Sequence, residues 1–184
     1  MQVQQTEIPG VLIVEPKVFG DARGFFVETY QVERYAAAGL PGRFVQDNLS
    51  RSARGTLRGL HLQHPRAQGK LAWVADGEVL DVALDVRVGS PTFGRSVTTT
   101  LSSRTFRQFY LPPGFAHAFC VMSETALFAY KCTELYQPDH EIGVAWDDPD
   151  LGIEWPTRTP ILSARDRSHR RLRDIPPDEL PHYE

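Results

Sequence analysis

Three segments of the chain carry side chains that can grip an anion and move a proton: RGTLRGLH at 54–61, PPGFAH at 112–117 and YKCTELY at 130–136. Guanidinium groups bind anions, a phenol can deliver a proton, and an imidazole with an unperturbed pKa of about 6.5 accepts one near neutral pH. Together they suit chemistry that takes a proton from carbon and returns one. His61 needs an orienting carboxylate for that work, and the local sequence has none; a hydrogen-bonded structural histidine fits the same run. His117, entering an apolar run after a Pro-Pro-Gly turn, has the same two readings. Lys70 follows Gln68-Gly69 at the start of a run, placed either to stabilise an oxyanion or to stand in solvent. Tyr130 and Tyr136 are six residues apart, so a regular strand points both to one face. One phenol then donates a proton and the other ring stacks on a base, or both are ordinary sheet aromatics. Period two puts His61 with Gly59 and sends Arg58 to the opposite face, unless a bulge intervenes.

The segments that must position these groups are patterned as strands. Period-two alternation or short apolar runs between turn residues mark 11–14, 44–49, 56–63, 71–75, 79–86, 106–111, 117–122 and 126–135. In the fifth of these, Leu80, Val82, Leu84 and Val86 share one face, with Asp81 and Asp85 on the other. Asp76-Gly77 is a hairpin signal. One helix is predicted, over 32–38, an Ala-rich stretch stopped by Gly39 with Pro41 beyond. Many short strands with Gly and Pro punctuation predict an all-β jelly roll or barrel with a few short helices. After Trp155-Pro156 the pattern fades, and the Arg- and Asp-rich stretch 165–173 is expected to be a solvated, polar C-terminal region starting near residue 164.

Composition excludes several classes. At 184 residues the chain is expected to be one domain, long enough to bury roughly 70% of its unfolded surface. A net charge of -3 argues against an electrostatic nucleic-acid binder. Cys120 and Cys132 lie in apolar runs without metal-ligand spacing, as reduced buried thiols would. Met1 to Gly10 has no apolar signal-peptide core, and no run approaches 18 apolar residues. A cytoplasmic protein with neither nucleic-acid nor membrane partners is expected.

Further segments extend the pattern: FGDARGFF at 19–26, Gln46-Asp47-Asn48, SPTFG at 90–94, Asp147-Asp148-Pro149 and Trp155-Pro156. In this order, with the three segments above, they resemble the dTDP-4-dehydrorhamnose 3,5-epimerase family of sugar-nucleotide enzymes over nearly the whole chain. The resemblance implies a cupin-like jelly roll (a double-stranded β-helix) forming a homodimer, with no metal or organic cofactor. It implies His61 as general base, Asp166 as the carboxylate that orients it, Tyr130 as proton donor and Lys70 near the sugar keto oxygen. Arg23, Glu28, Gln46, Asp47, Asn48, Arg58, His117, Glu141 and Arg165 match substrate-binding positions, and Tyr136 matches the ring that stacks on thymine. Arg165 stands where the family usually has Lys, and Ala118 where Gly is common; Arg keeps the charge but changes donor geometry. The implied substrate is a dTDP-4-keto-6-deoxyhexose, dTDP-4-dehydro-6-deoxy-D-glucose, converted to dTDP-4-dehydro-L-rhamnose.

Three other readings fit parts of the pattern. Cupins that hold a metal use a His-x-His pair, a Glu and a later His; here Gln63 occupies the second His position and His64 precedes Pro65, so no such ligand set is expected. A single-centre C3 or C5 epimerase would retain all these residues. A non-catalytic sugar-nucleotide-binding cupin would keep the arginines but have no use for an acid and a base on opposite ring faces.

Overall fold

The computed structural model describes residues 1–183. The elements run β1 Gln2–Gln5, β2 Leu12–Glu15, β3 Val18–Asp21, β4 Gly24–Val27, α1 Val32–Ala37, β5 Gln46–Ala53, β6 Leu57–Gln63, β7 Lys70–Asp76, β8 Glu78–Asp85, β9 Ser96–Ser102, β10 Gln108–Leu111, β11 Phe115–Val121, β12 Thr125–Cys132 and β13 Glu141–Gly143. A six-stranded sheet, ordered β1-β2-β10-β7-β12-β5, faces a five-stranded sheet, ordered β13-β6-β11-β8-β9, and β3-β4 form a separate hairpin. Every pairing between these strands is antiparallel. This is the all-β, cupin-like jelly roll expected. No helix among the described residues is long and apolar enough to cross a membrane.

The central core lies between the sheets. Ala72, Val74, Phe109, Leu111 and Phe128 of the larger sheet meet Val79, Ala83, Val97, Leu101, Phe119 and Val121 of the smaller. The Phe119 and Phe128 rings stack across the layer with centroids 4.1 Å apart. Strand β11 is buried along its whole length because its other face is covered too. There Leu60, Leu62, Val82, Leu84, Ala116 and Ala118 pack under Leu172, Ile175 and Leu180. Helix α1 covers the outer face of the six-stranded sheet through Tyr35, whose hydroxyl donates to Gln108 Oε1 at 2.8 Å. Its first turn is capped by the Gln31 side chain, which accepts from the Arg34 N–H at 2.6 Å.

Four local expectations change. Asp76-Gly77 does not close a hairpin: β7 and β8 belong to different sheets, and Gly77, at φ +87°, turns the chain from one layer into the other. A dipeptide specifies the local bend and not the partner of the strand that follows. The last run ends at Cys132, so Tyr136 lies in the loop beyond β12 and shares no strand with Tyr130. The short strands β1, β3, β4 and β13 lie outside the predicted runs, as does β9, where Val97, Thr99 and Leu101 are buried but serines and threonines dilute the apolar signal. Finally, the C-terminal region is not simply solvated. Its arginines are exposed, while Asp166, Leu172, Ile175 and Leu180 are buried. Covering each of these apolar side chains contributes about 1.5–3 kcal/mol, enough to hold three short 3-10 turns against the sheet.

Candidate active site

The site begins with an irregularity in β6. On β11, His117 pairs with His61 and Phe119 with Arg58, so Gly59 and Leu60 together oppose the single residue Ala118. That extra residue is a bulge, and it reverses the period-two expectation: Arg58 and His61 both face one cavity of about 410 Å³ between the sheets. Gly59 is required there. Its φ is +112°, and a Cβ would press on the His117 carbonyl and lie 2.7 Å from the Ala118 Cβ.

The β6 wall of the cavity meets the C-terminal region. His61 Nε2 lies 2.6 Å from Asp166 Oδ1, and Ser163 Oγ donates to Asp166 Oδ2 at 2.7 Å. The Asp166 side chain is 5% exposed and that of His61 29%, so the carboxylate is enclosed while the imidazole opens to the cavity. Burial raises the Asp166 pKa, but the hydrogen bonds from His61 and Ser163 outweigh it and hold the carboxyl below its usual range. With Asp166 ionised, the contact suits an Nε2–H donor to the carboxylate, the tautomer in which Nδ1 is the ring's acceptor nitrogen. The carboxylate missing from the sequence around His61 therefore arrives 105 residues later.

The opposite wall comes from the six-stranded sheet. Tyr130 pairs with Asn48 on one side and Ala72 on the other, and Lys70 pairs with Cys132, so the two side chains share a face. Lys70 Nζ lies 5.9 Å from the centroid of the Tyr130 ring. Burial pushes the Tyr130 phenol up to about 12, which keeps it protonated. Burial also lowers the Lys70 pKa, opposed by nearby Cys132, Glu141 and Asp81. His117 lines the floor with its Nε2 2.8 Å from Asp81 Oδ1. Asp81 is fully buried, and its Oδ2 has no hydrogen-bond partner. Burial raises its pKa against the pull of His117 and Lys70. Sequence reasoning placed Asp81 opposite the apolar face of its strand and did not single it out; its burial comes from the facing sheet, which the local sequence does not reveal.

The remaining predicted residues divide. Asn48, Arg58, Glu141 and Arg165 line the cavity, with Arg165 Nη1 3.0 Å from Glu141 Oε1. Tyr136 stands 44% exposed at the rim. Its pKa is raised first by the adjacent Glu141 carboxylate and then by burial. Gln46 supports the rim, accepting from the Tyr136 N–H at 2.8 Å and donating to Asn48 Oδ1 at 3.1 Å. Asp47 faces away from the cavity and pairs with Lys131 at 2.9 Å. Arg23 and Glu28 are not brought to the cavity either. Arg23 projects from the β3-β4 hairpin, 90% exposed and paired with Asp21, and Glu28 pairs with Arg34. Ser163, Phe119 and Phe128 line the cavity without having been singled out in sequence. Gln63, at the position of a metal cupin's second histidine, uses its amide to tie loops, donating to the Arg66 and Leu135 carbonyls and accepting from the Gln137 N–H.

With this geometry in place, likeness to known proteins becomes informative. The family model described as dTDP-4-dehydrorhamnose 3,5-epimerase matches residues 5–174. A Pseudomonas aeruginosa protein named dTDP-4-dehydrorhamnose 3,5-epimerase is 51% identical over 176 residues, which is 95% of this chain and 97% of the relative. A Salmonella typhimurium protein of the same name is 52% identical over 171 residues, 90% and 92% of the two chains. The crystal structure of the Legionella pneumophila dTDP-6-deoxy-D-glucose-3,5-epimerase in complex with dTDP-4-keto-L-rhamnose superposes with a TM-score of 0.97 at 49% identity, covering 100% of this chain and 98% of that one. Fold and sequence agree along the length that carries the cavity, and the chain belongs to the dTDP-4-dehydrorhamnose 3,5-epimerase family.

Proposed function

We propose that the protein epimerises dTDP-4-dehydro-6-deoxy-D-glucose at C3 and C5 to give dTDP-4-dehydro-L-rhamnose, without a metal or organic cofactor. The supporting observation is a base oriented by a carboxylate, His61 with Asp166 at 2.6 Å, on one wall of a cavity whose other wall presents a phenol kept protonated by burial. The C4 carbonyl acidifies the hydrogens on C3 and C5. His61 removes one of them, charge moves onto O4, and the Lys70 ammonium stabilises the enolate. Tyr130 returns a proton to the opposite ring face, which inverts the centre. Asp166 stabilises the imidazolium formed on the way. Arg58 and Arg165 contact the nucleotide diphosphate by charge-assisted hydrogen bonds, and Tyr136 stacks on the thymine.

Two expected substrate contacts, Arg23 and Glu28, stand on or beside a hairpin outside this cavity, and that hairpin exposes Phe19, Phe25 and Phe26. A homodimer accounts for both facts: the apolar hairpin docks on a second copy and carries Arg23 and Glu28 toward that copy's cavity.

Proton NMR of dTDP-4-keto-6-deoxyglucose in deuterium oxide with purified, chelator-treated protein tests the reading. Deuterium enters at C3 and C5 and the L-rhamno product accumulates. Exchange at one carbon reassigns the protein as a single-centre epimerase. Binding without exchange makes it a sugar-nucleotide-binding protein, and activity lost on chelation and restored by metal sinks the cofactor-free mechanism.

A further inference from the structure

One side chain beside the dyad has no part in this chemistry. His169 follows the 3-10 turn Asp166–Ser168 and lays its ring edge-on to His61, with centroids 5.4 Å apart and planes at 82°. It fits against Gly143, where any side chain would overlap the imidazole. Its Nδ1 is enclosed by protein yet has no hydrogen-bond partner. One ligating atom from each of His61, Asp166 and His169 lies within 4.8 Å of the others.

We propose that these three residues form an inhibitory site for a zinc-class divalent cation. Two imidazoles and a carboxylate are the donor set of borderline metals such as zinc and not of calcium or magnesium, which prefer oxygen ligands. Zinc holds nitrogen and oxygen ligands at about 2.0–2.1 Å, so tetrahedral neighbours sit roughly 3.3 Å apart. The 2.6 Å contact between His61 and Asp166 must open by roughly 0.7 Å, and His169 must close by up to roughly 1.5 Å to reach that spacing. No hydrogen bond to Nδ1 has to be broken for His169 to make that shift. Ser163 meanwhile keeps hold of the second Asp166 oxygen and sets the carboxylate's direction, as supporting contacts do in metal sites. The cation takes Nε2 in place of the proton shared by His61 and Asp166, and that proton moves to Nδ1, so the ring stays a neutral imidazole. With Nδ1 protonated and Nε2 on the metal, the ring has no lone pair left to accept a substrate proton.

The binding claim is independent of the epimerase reading; only its inhibitory consequence rests on that reading. Full-length protein stripped with chelator is titrated with zinc chloride in a calorimeter and with cobalt chloride in a spectrophotometer, alongside His169→Phe and Asp166→Asn. The wild type is expected to bind one zinc per chain, to melt at a higher temperature with zinc present, and to give cobalt the intense visible bands of a tetrahedral site. His169→Phe keeps an aromatic edge against His61 but removes a ligand, so its zinc affinity should fall at least ~10-fold. Asp166→Asn should weaken zinc by a similar factor. Epimerisation by the wild type should fall as zinc is added and return on chelation, with His169→Phe needing correspondingly more zinc relative to its own metal-free rate. Absent or octahedral cobalt binding, equal zinc affinity in wild type and His169→Phe, or saturating zinc without loss of turnover each overturns the proposal. Zinc bound as described by a protein that never exchanges substrate protons would leave the site standing and remove the epimerase reading instead.

Discussion

Burial shifts the two groups on the six-stranded wall in ways that matter for catalysis. Tyr130 holds its proton up to about pH 12, whereas Lys70 gives its proton up below the ordinary lysine range. Burial penalises phenolate and ammonium alike, so the Tyr130 phenol persists as pH rises while the Lys70 ammonium is lost. The alkaline limb of the kcat profile should therefore belong to Lys70, and Lys70→Arg should move it upward. An unmoved limb in an active Lys70→Arg protein rejects this assignment. Tyr130→Phe keeps the ring against Phe128 and His117 but removes the acid, and epimerised product should fall by roughly 10²–10⁴-fold with folding intact. Wild-type product formation in that variant would remove Tyr130 from the mechanism. His61 and Asp166 should behave as a unit. His61→Asn abolishes deuterium uptake, Asp166→Asn lowers turnover with a smaller effect on nucleotide binding, and the double variant costs little more than His61→Asn alone. Additive losses measured side by side would break the dyad apart.

At the scale of elements, the bulge in β6 sets which side chains face the cavity. Gly59→Ala forces a side chain into the His117 carbonyl at a φ that suits glycine, and strain and overpacking together should cost about 2–5 kcal/mol in a denaturant titration. A variant as stable and active as the wild type would show that β6 tolerates another path. Sequence alternation was a sound guide where a strand is regular and its apolar residues dominate, as in β8, and it placed His61, Lys70, Tyr130 and His117 on strands that do line the cavity. It failed where geometry is set by a partner. The bulge depends on how β11 pairs with β6, and the sheet change at Gly77 depends on what β8 finds opposite it. The packing of Leu172, Ile175 and Leu180 has no period because those residues open or follow short 3-10 turns that fit a surface made elsewhere. The pairing of His61 with Asp166 entered through family likeness, since nothing in the local sequence joins two residues so far apart.

For the whole molecule, the β3-β4 hairpin is the surface we propose for assembly into a homodimer. Phe26 is 67% exposed, Phe25 61% and Phe19 52%, an apolar group larger than scattered exposed side chains explain. Phe26→Asp should leave the jelly roll folded, shift the protein from dimer to monomer in sedimentation velocity, and weaken substrate binding because Arg23 and Glu28 no longer reach a cavity. A dimeric Phe26→Asp protein with unchanged KM would disprove that role for the hairpin. The lateness of Asp166 also bears on how the protein is made. A ribosome delivers His61 long before the segment that orients it, and the sheet on which that segment docks needs β8, β11 and β13 already in place. A chain folded without this segment would carry an undirected imidazole, so the proton transfer proposed for His61 requires the closing turns as well as the strands.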